Sequence, residues 1–247
     1  MTAVQFLIAG AQKAGTTALA HYLDQCADIA VATGKEAHVF DSPDFDEVHA
    51  TEWTDMAFAA CFANAAVGAL RGDATPITLL HRTFIARAAA YNPAMRWIVL
   101  LRDPVDRAIS QYHMERGRGI ERLPMLLAFI AEGLRLSGRA DDFSWGSPLR
   151  WASYLTRGQY REQLNALHQF VPRDQVLVLP SDRLRTEPSK VVDEVRRFLG
   201  LEALPHHPDY PPQFEGRYRR PPWWSPARRY ACWRLRRSLR DGLYRTV

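Results

Sequence analysis

A short loop near the start of the chain contains residue types that bind phosphate: two glycines, a lysine and a pair of threonines. The residues predicted to hold an anion there are Gly10, Lys13, Ala14, Gly15, Thr16 and Thr17. Backbone N–H groups of such a loop point at a ligand, and the dipole of the following helix favours negative charge. The spacing therefore predicts a phosphate cradle between a strand and a helix. A tight turn that needs glycine for backbone reasons is the alternative.

The position of the lysine distinguishes this loop from the loop that binds ATP in many kinases. That loop reads Gly-x-x-x-x-Gly-Lys-Ser/Thr, with lysine directly after the second glycine. Here Thr16 follows Gly15, and Lys13 lies inside the loop. A P-loop small-molecule kinase is therefore an alternative rather than the first hypothesis. The chain also lacks a clear strand that ends in a magnesium-binding aspartate.

A carboxylate and an imidazole stand two residues apart in the segment 34–41. On an extended backbone, Glu36 and His38 share a face. Together they can take a proton from the hydroxyl group of an acceptor. The same residues also fit a solvated charged turn, and the residues alone leave both interpretations open.

Arginine and serine follow the strongest predicted strand. Arg102 stands directly after the apolar run 96–101, and Ser110 lies in the helical pattern that begins at Pro104. Arginine makes paired hydrogen bonds to phosphate and serine adds a donor, so the pair predicts a second anion site. A surface ion pair between Arg102 and Asp103 is the alternative.

Short apolar runs alternate with helical patterns along the chain. The predicted strands cover residues 6–9, 28–32, 67–73, 96–101 and 175–179. The predicted helices cover residues 17–23, 55–65, 79–91, 104–116, 158–170 and 189–199. Apolar runs without polar alternation indicate strands that are covered on both faces. We therefore expect a doubly wound α/β fold with a P-loop-NTPase-like central parallel sheet flanked by helices, and ligands at the carboxyl ends of the strands.

The composition predicts one globular domain over residues 1–247. The hydrophobic fraction is 47%, and the net charge of +5 suits an anionic ligand. The three cysteines are scattered without metal-ligand spacing, and the first apolar run is too short for a signal peptide or a membrane span. A cytoplasmic location is expected.

Two segments depart from the alternation of strands and helices. Residues 117–150 are predicted to form a lid or an acceptor wall. Residues 205–247 are rich in proline, arginine and aromatic side chains, with a helix expected within 227–245. Such a segment can contact an anionic membrane surface. It can equally contact an anionic acceptor. The favoured interpretation is a terminal helix packed through Trp233, Leu235 and Leu239 with solvated arginines, and a nucleic-acid contact is the least favoured. A non-enzymatic domain that binds membrane or RNA is the third functional hypothesis.

The motifs together resemble the PAPS-dependent sulfotransferases. Residues 10–17 match their 5′-phosphosulfate loop, and residues 101–112 match their 3′-phosphate segment. Residues 35–40 resemble the Lys-Glu-x-His-Phe-Phe segment of the branch that modifies glycans such as heparan. Residues 153–160 and 197–201 are also similar to the family. The chain resembles a bacterial member over about residues 5–201.

The resemblance implies PAPS (3′-phosphoadenosine-5′-phosphosulfate) as the sulfuryl donor, PAP as the product, and no metal. Lys13 would stabilise the leaving phosphate oxygen, and Arg102 with Ser110 would hold the 3′-phosphate. Glu36 would be the general base, assisted by His38. The acceptor would be a hydroxyl, or less favourably an amine, of a carbohydrate, a glycolipid or a secondary metabolite.

The resemblance also implies roles for three further residues. Lys35 is expected at the acceptor together with His38. Asp73 is expected near the acceptor, with helix capping as the alternative. Arg217 is expected at the 3′-phosphate, although the family's Lys-Gly-Arg-x-Tyr-Pro loop reads Glu-Gly-Arg-Tyr-Arg-Arg-Pro here.

Overall fold

A computed structural model of the protein describes residues 4–34, 36–211, 218 and 220–245. The strands are β1 (Phe6–Gly10), β2 (Ile29–Val31), β3 (Leu70–Asp73), β4 (Arg96–Leu101) and β5 (Val176–Pro180). The helices are α1 (Thr16–Asp24), α2 (Ala50–Cys61), α3 (Arg82–Tyr91), α4 (Pro104–Gly117), α5 (Met125–Leu136), α6 (Pro148–Trp151), α7 (Tyr160–Leu167), α8 (Ser181–Thr186), α9 (Pro188–Phe198), α10 (Pro226–Arg234) and α11 (Arg236–Asp241).

The five strands form one parallel sheet in the order β2-β3-β1-β4-β5. Every residue of the central strand β1 is buried, and β4 is buried except for Arg96 at its start. Parallel strands need covered faces because the helical crossovers return over them. The expected sheet flanked by helices is confirmed, and its two central strands end where the predicted anion sites begin.

The prediction of single long helices was wrong in three places. Predicted helix 79–91 is a 3₁₀ turn, Thr78–Leu80, followed by α3, because His81 is extended and its ring caps the N–H of Thr83. Predicted helix 158–170 is shorter as α7 and follows a 3₁₀ turn at Thr156–Gly158. The arginine-rich end forms two helices, α10 and α11, which meet at the buried Leu235.

A second apolar cluster lies under α4, α5 and α10, beside the main core at the sheet. Ile109, Phe129, Tyr154 and Leu235 are almost completely buried in it. Segment 117–150 therefore contains a well-anchored helix, α5, which periodicity did not reveal. Two parts of that segment, 117–120 and 145–150, contribute residues to the lining of the cleft described next.

Candidate active site

A cleft of about 1610 Å³ opens at the carboxyl ends of β1 and β4 and brings most of the predicted site residues together. Its lining includes Lys13, Ala14, Gly15, Thr16, Thr17, Glu36, His38, Arg102 and Ser110. Gly10 and Asp73 do not belong to the lining. Lys35 and Arg217 lie outside the described residues.

The loop between β1 and α1 has the backbone of an anion cradle. Its chain is left-handed at Lys13 (φ 69°) and at Gly15 (φ 96°). Gly15 precedes the first turn of α1, and no side chain caps that helix. The first N–H groups of α1 therefore have neither a helical acceptor nor a capping oxygen, and this is the arrangement that binds phosphate groups.

The two glycines of the loop serve different purposes. A Cβ atom on Gly15 would combine the strained φ with a 3.3 Å approach to Leu184 Cδ2. A Cβ atom on Gly10 would lie 2.8 Å from Leu79 Cδ2, beneath the loop. Gly10 thus permits close packing under the cradle, whereas Gly15 shapes the part that faces the cleft.

Three arginines donate hydrogen bonds to the loop between β1 and α1. Arg102 Nη1 donates to the carbonyl oxygen of Lys13 at 3.1 Å, and Arg107 Nη1 donates to that of Gln12 at 3.4 Å. Arg157 Nη1 donates to Gln12 Oε1 at 2.6 Å. The conformation of the loop is therefore fixed by residues from the turn after β4, from α4 and from the 3₁₀ turn before α7.

Arg107 and Arg157 are the buried cations of the site, and sequence reasoning gave neither of them a role. Burial lowers the pKa of Arg107 to about 10 and that of Arg157 to about 9, so both remain charged near neutral pH. Both lie inside the family-like runs 101–112 and 153–160, and that was the available signal. Arg157 also lines the cleft, where it adds positive charge opposite an anionic ligand.

Ser110 is presented by α4, whose start is fixed by Asp103. The Asp103 carboxylate accepts the N–H groups of Val105 and Asp106 at 2.9 Å each. Asp103 is therefore an N-cap, and it forms no salt bridge with Arg102 among the described contacts. Ser110 is 7% exposed, at the wall of the cleft. Arg102 precedes α4 and Ser110 lies within it, and both thus line the same cleft.

Glu36 and His38 meet in the cleft, and two further residues extend the pair. His38 Nε2 lies 3.4 Å from Glu36 Oε2, and His38 Nδ1 lies 2.9 Å from Asp41 Oδ2. Arg150 Nη1 lies 2.6 Å from the same Asp41 oxygen. We call these four residues the Glu36–Arg150 cluster. The solvated turn that the residues alone left open is not what the structure contains, since Asp41 is completely buried.

The charges of the cluster act on His38 in opposite directions. Burial alone would lower the pKa of His38, but the hydrogen bond to Asp41 and the charges of Asp41 and Glu36 outweigh burial and raise it. Burial also works against ionisation of Asp41, yet its contacts with His38 and Arg150 hold the pKa of Asp41 below its usual range. The cluster therefore favours a charged imidazolium between two carboxylates.

Asp73 supports this cluster from beneath the cleft. Its Oδ1 accepts the N–H of Ala37 at 3.0 Å, and Thr75 Oγ1 accepts the N–H of His38 at 3.3 Å. Burial raises the pKa of Asp73 to about 6, and its second carboxylate oxygen has no partner. Asp73 holds the backbone of the segment that carries Glu36 and His38. It caps no helix start among the described elements.

Trp145 forms an aromatic face beside the cluster. Its indole lies edge-on to His38 with ring centroids 5.6 Å apart, and the Arg150 guanidinium stacks over it at 4.4 Å. The side chain is 55% exposed and lines the cleft. Sequence reasoning named the segment of Trp145 as an acceptor wall without naming this residue.

The described residues contain neither a membrane-spanning helix nor a cluster of metal ligands. No helix there is long and apolar enough to cross a membrane. No group of three or more His, Cys, Asp or Glu side chains there is arranged to hold a metal ion.

Comparisons with known proteins agree on one family. A sequence profile described as a sulfotransferase domain matches residues 4–209. The chain is 29% identical over 200 residues to heparan sulfate glucosamine 3-O-sulfotransferase 6 of Homo sapiens, covering 81% of this chain and 53% of that protein. It is 27% identical over 206 residues to the bifunctional heparan sulfate N-deacetylase/N-sulfotransferase 2 of Homo sapiens, covering 80% and 22%. The chain thus spans about half the length, or less, of these relatives.

A solved structure covers the whole chain. The sulfotransferase from Alicyclobacillus acidocaldarius superposes with a TM-score of 0.77 at 25% identity, over 100% of this chain and 98% of that one. The sulfotransferase domain from the curacin biosynthetic pathway gives a TM-score of 0.55 at 15% identity, over 85% and 80%. The second likeness supports the fold.

Proposed function

Because the chain belongs to the sulfotransferase family, we propose that it transfers a sulfuryl group from PAPS to a hydroxyl group of a carbohydrate. The observation that carries the proposal is that two anion-binding elements line one cleft together with the Glu36–Arg150 cluster. PAPS supplies the sulfuryl group when bound, and it bears anionic groups at both its 5′ and 3′ positions. Two separate anion sites match that distribution of charge. Membership of the family also sets aside the kinase alternative.

The 5′ group is assigned to the loop. The uncapped N–H groups of α1 and the side chain of Lys13 provide donors and positive charge where an anion would sit. Lys13 stabilises the negative charge that develops on the phosphate oxygen during transfer. The 3′-phosphate is assigned to Arg102 and Ser110, for which a guanidinium and a hydroxyl are suitable donors.

Glu36 is assigned as the base that accepts the proton of the acceptor hydroxyl group. Glu36 accepts that proton as the hydroxyl oxygen bonds to sulfur and the bond between sulfur and the phosphate oxygen breaks. His38 is the less available proton acceptor, because its raised pKa favours the form that already carries the proton. His38 instead orients Glu36 through its Nε2, 3.4 Å from the carboxylate, while Asp41 holds the other ring nitrogen.

A carbohydrate acceptor is supported by the relatives and by the wall of the cleft. The printed names of the curated relatives refer to heparan sulfate. The exposed indole of Trp145 next to His38 gives a flat apolar surface on which the C–H face of a sugar ring can pack. The neighbouring Arg150 and Arg118 offer donors for the polar substituents of a sugar.

Replacement of the two central residues tests the proposal. We expect Lys13→Ala and Glu36→Gln each to lower sulfuryl transfer by about 10² to 10³-fold, the effect of removing one charge-stabilising or proton-accepting group. The measurement is transfer of ³⁵S from labelled PAPS to a panel of polysaccharide and glycolipid acceptors. PAP should still raise the melting temperature of Glu36→Gln, because Glu36 is not assigned to the donor.

The matched controls are Lys190→Ala and Glu52→Gln, which remove the same charges from exposed positions outside the cleft. Both should retain full transfer. Full activity in Lys13→Ala and Glu36→Gln would refute the assigned mechanism. Absence of any transfer and of any stabilisation by PAP in the unaltered protein would refute the function.

A further inference from the structure

The end of the chain carries an unusual concentration of positive charge. Residues 220–245 contain eight arginines and a single acidic residue, Asp241. Seven exposed residues of this region form what we call the arginine–tryptophan surface: Trp223, Trp224, Arg229, Trp233, Arg236, Arg237 and Arg240. None of them lines the cleft.

The surface belongs to helices that are firmly packed on their other side. Ala227, Ala231, Leu235 and Ser238 are buried, three or four residues apart, against the cluster under α4 and α5. The interpretation of a terminal helix packed through Leu235 and Leu239 is confirmed, but its inclusion of Trp233 was wrong, because that side chain is 58% exposed. Packing therefore explains the inner side of α10 and α11 and leaves the indoles unexplained.

The arginines of the surface are only partly neutralised by the protein. Asp106 pairs with Arg220 and Arg228, and Asp241 pairs with Arg161 from α7. Within the described part of the chain, the four arginines of the surface form no ion pair with a carboxylate within 4.0 Å. The charge of Arg237 does act on Asp241, after that of Arg161, and helps to lower the pKa of that carboxyl group, so one carboxylate serves Arg161 and Arg237 and the surface keeps an excess of positive charge.

Exposing three indoles to water in one terminal region is unfavourable in free energy unless another molecule covers them. Trp223, Trp224 and Trp233 are 80%, 62% and 58% exposed. The guanidinium of Arg236 lies over the Trp233 ring at 5.5 Å. Indole has an apolar body and a polar N–H, and arginine has an apolar stem and a charged head, so both are suited to a boundary between water and an apolar phase.

We propose that the arginine–tryptophan surface binds the headgroup region of an anionic phospholipid bilayer. Anionic headgroups would neutralise the arginines, and the indoles would leave water for the boundary with the acyl chains. A soluble polyanion would satisfy the arginines but would leave the indoles in water. The neighbouring helix α5, which contacts α10, exposes Leu127, Ile130 and Leu134 along one face and adds apolar area beside the surface.

Vesicle sedimentation with the full chain tests the proposal. At 0.1 M NaCl, the protein should sediment with vesicles of phosphatidylcholine and phosphatidylglycerol at 3:1 and not with vesicles of pure phosphatidylcholine. Binding should decrease at 1 M NaCl, where the screening length falls from about 10 Å to about 3 Å. Equal binding to both vesicles, or no binding to either, would overturn the proposal.

Paired variants separate charge from aromatic contact. Arg237→Ala with Arg240→Ala should lower the vesicle partition coefficient by about 25-fold, since each arginine near such a surface contributes about 1 kcal/mol, or about fivefold. Trp223→Ala with Trp224→Ala should lower it as well at unchanged net charge. Arg82→Ala with Arg173→Ala is the control, because it removes two exposed arginines elsewhere.

Circular dichroism confirms that each variant is folded, and transfer to a soluble acceptor should be unchanged in all of them. Loss of vesicle binding in both surface pairs, with retention in the control pair, supports the proposal. Undiminished vesicle binding in either surface pair would overturn it. Retention on a heparin column that depends on these residues, without vesicle binding, would assign the surface to a polyanion instead.

Discussion

His38 is held between two carboxylates that differ greatly in exposure. The Asp41 side chain is completely buried and the Glu36 side chain is 29% exposed toward the cleft. The buried carboxylate therefore acts on the ring orientation and charge, while the exposed one can reach a substrate. This division explains why two acidic residues near one histidine need not perform the same task.

Replacing Asp41 by asparagine tests this division. Asp41→Asn should lower the pKa of His38, because it removes the hydrogen-bonded charge that outweighs burial. In the unaltered protein, protonated His38 contributes to folding stability below its ordinary pKa, and this contribution is lost as the pH rises through the raised pKa. The contribution should be smaller in Asp41→Asn. We expect transfer to decrease about 100-fold through misorientation. The pKa is measured by NMR titration of the imidazole.

The control is Asp46→Asn, since Asp46 and His49 form the same i,i+3 pair at 3.1 Å on the exposed surface. It should leave both transfer and the titration of His38 unaltered. An unchanged His38 pKa in Asp41→Asn would contradict the assigned role of Asp41.

Residue types left the roles of the cleft residues open, and the family resemblance was needed to assign them. Glu36, His38, Arg102 and Ser110 were predicted in this way, and all four line the cleft. Asp41 lay in the predicted segment, but its partner Arg150 is 109 residues away. No local pattern encodes such a pairing, because it depends on how segment 117–150 folds back on the sheet.

At the scale of elements, the turn from β4 into α4 sets the spacing of the proposed 3′-phosphate site. Arg102 leaves the strand, Asp103 caps the helix, and Ser110 is carried by the helix. Tyr160 Oη donates to the Arg102 carbonyl oxygen at 2.8 Å and ties the turn to α7. The position of Ser110 relative to Arg102 therefore depends on where α4 begins.

Asp103→Ala should cost about 1 kcal/mol of unfolding free energy, the usual effect of a lost N-cap, and should also weaken PAP binding as the first turn of α4 frays. Urea unfolding and calorimetric titration with PAP measure the two effects. Ser225→Ala is a matched control, because Ser225 caps α10 through the N–H of Arg228 at 3.3 Å. It should lose similar stability and bind PAP normally. Normal PAP binding by both variants would contradict the argument.

The strands were predictable and the irregular elements were not. Residues 96–101 were predicted as a strand and are β4, because an apolar run covered on both faces leaves little ambiguity. Helix α9 ends as predicted at Gly200, whose φ is 82°.

Helix α5 was missed, because its apolar residues Leu127, Ile130 and Leu134 face outward and the sequence pattern did not mark a buried face. Helix α8 is only six residues long and carries no periodicity.

For the whole molecule, the buried carboxyl group of Asp73 links folding stability to pH. Its pKa rises from an ordinary 3.8 to about 6 because burial disfavours the charged form. Between these values the folded state binds more protons than the unfolded state, so this group's contribution to stability is lost as the pH rises from about 4 to about 6.

Asp73→Asn removes this titration. The difference in unfolding free energy between the unaltered protein and the variant should change by about 2 kcal/mol between pH 4 and pH 6.5, with the unaltered protein relatively more stable at the acid end. Urea unfolding across that range measures it. Asp44→Asn, which removes a carboxyl group at an exposed position, is measured in parallel as the control substitution. A flat difference for Asp73→Asn would show that Asp73 is ionised as easily as a surface carboxylate.

The prediction of one domain over residues 1–247 remains a proposal about the whole molecule. The second apolar cluster shares Leu239 at its edge with the main core, and α10 and α11 contact α4, α5 and α7. Composition alone could suggest a single domain, but it could not show that the arginine-rich end packs beside α4.

Arg150 joins the acceptor wall to the chemistry of the cleft. Its Nε donates to the Phe143 carbonyl oxygen at 3.0 Å, its guanidinium covers Trp145, and its Nη1 reaches Asp41. Under the proposed function, the choice of acceptor and the transfer of its proton therefore depend on the same side chain. A chimera that imports segment 117–150 from a relative would also replace the counter-charge of Asp41, and would change turnover even toward an unchanged acceptor. Swaps that stop before Phe143 would leave this linkage intact.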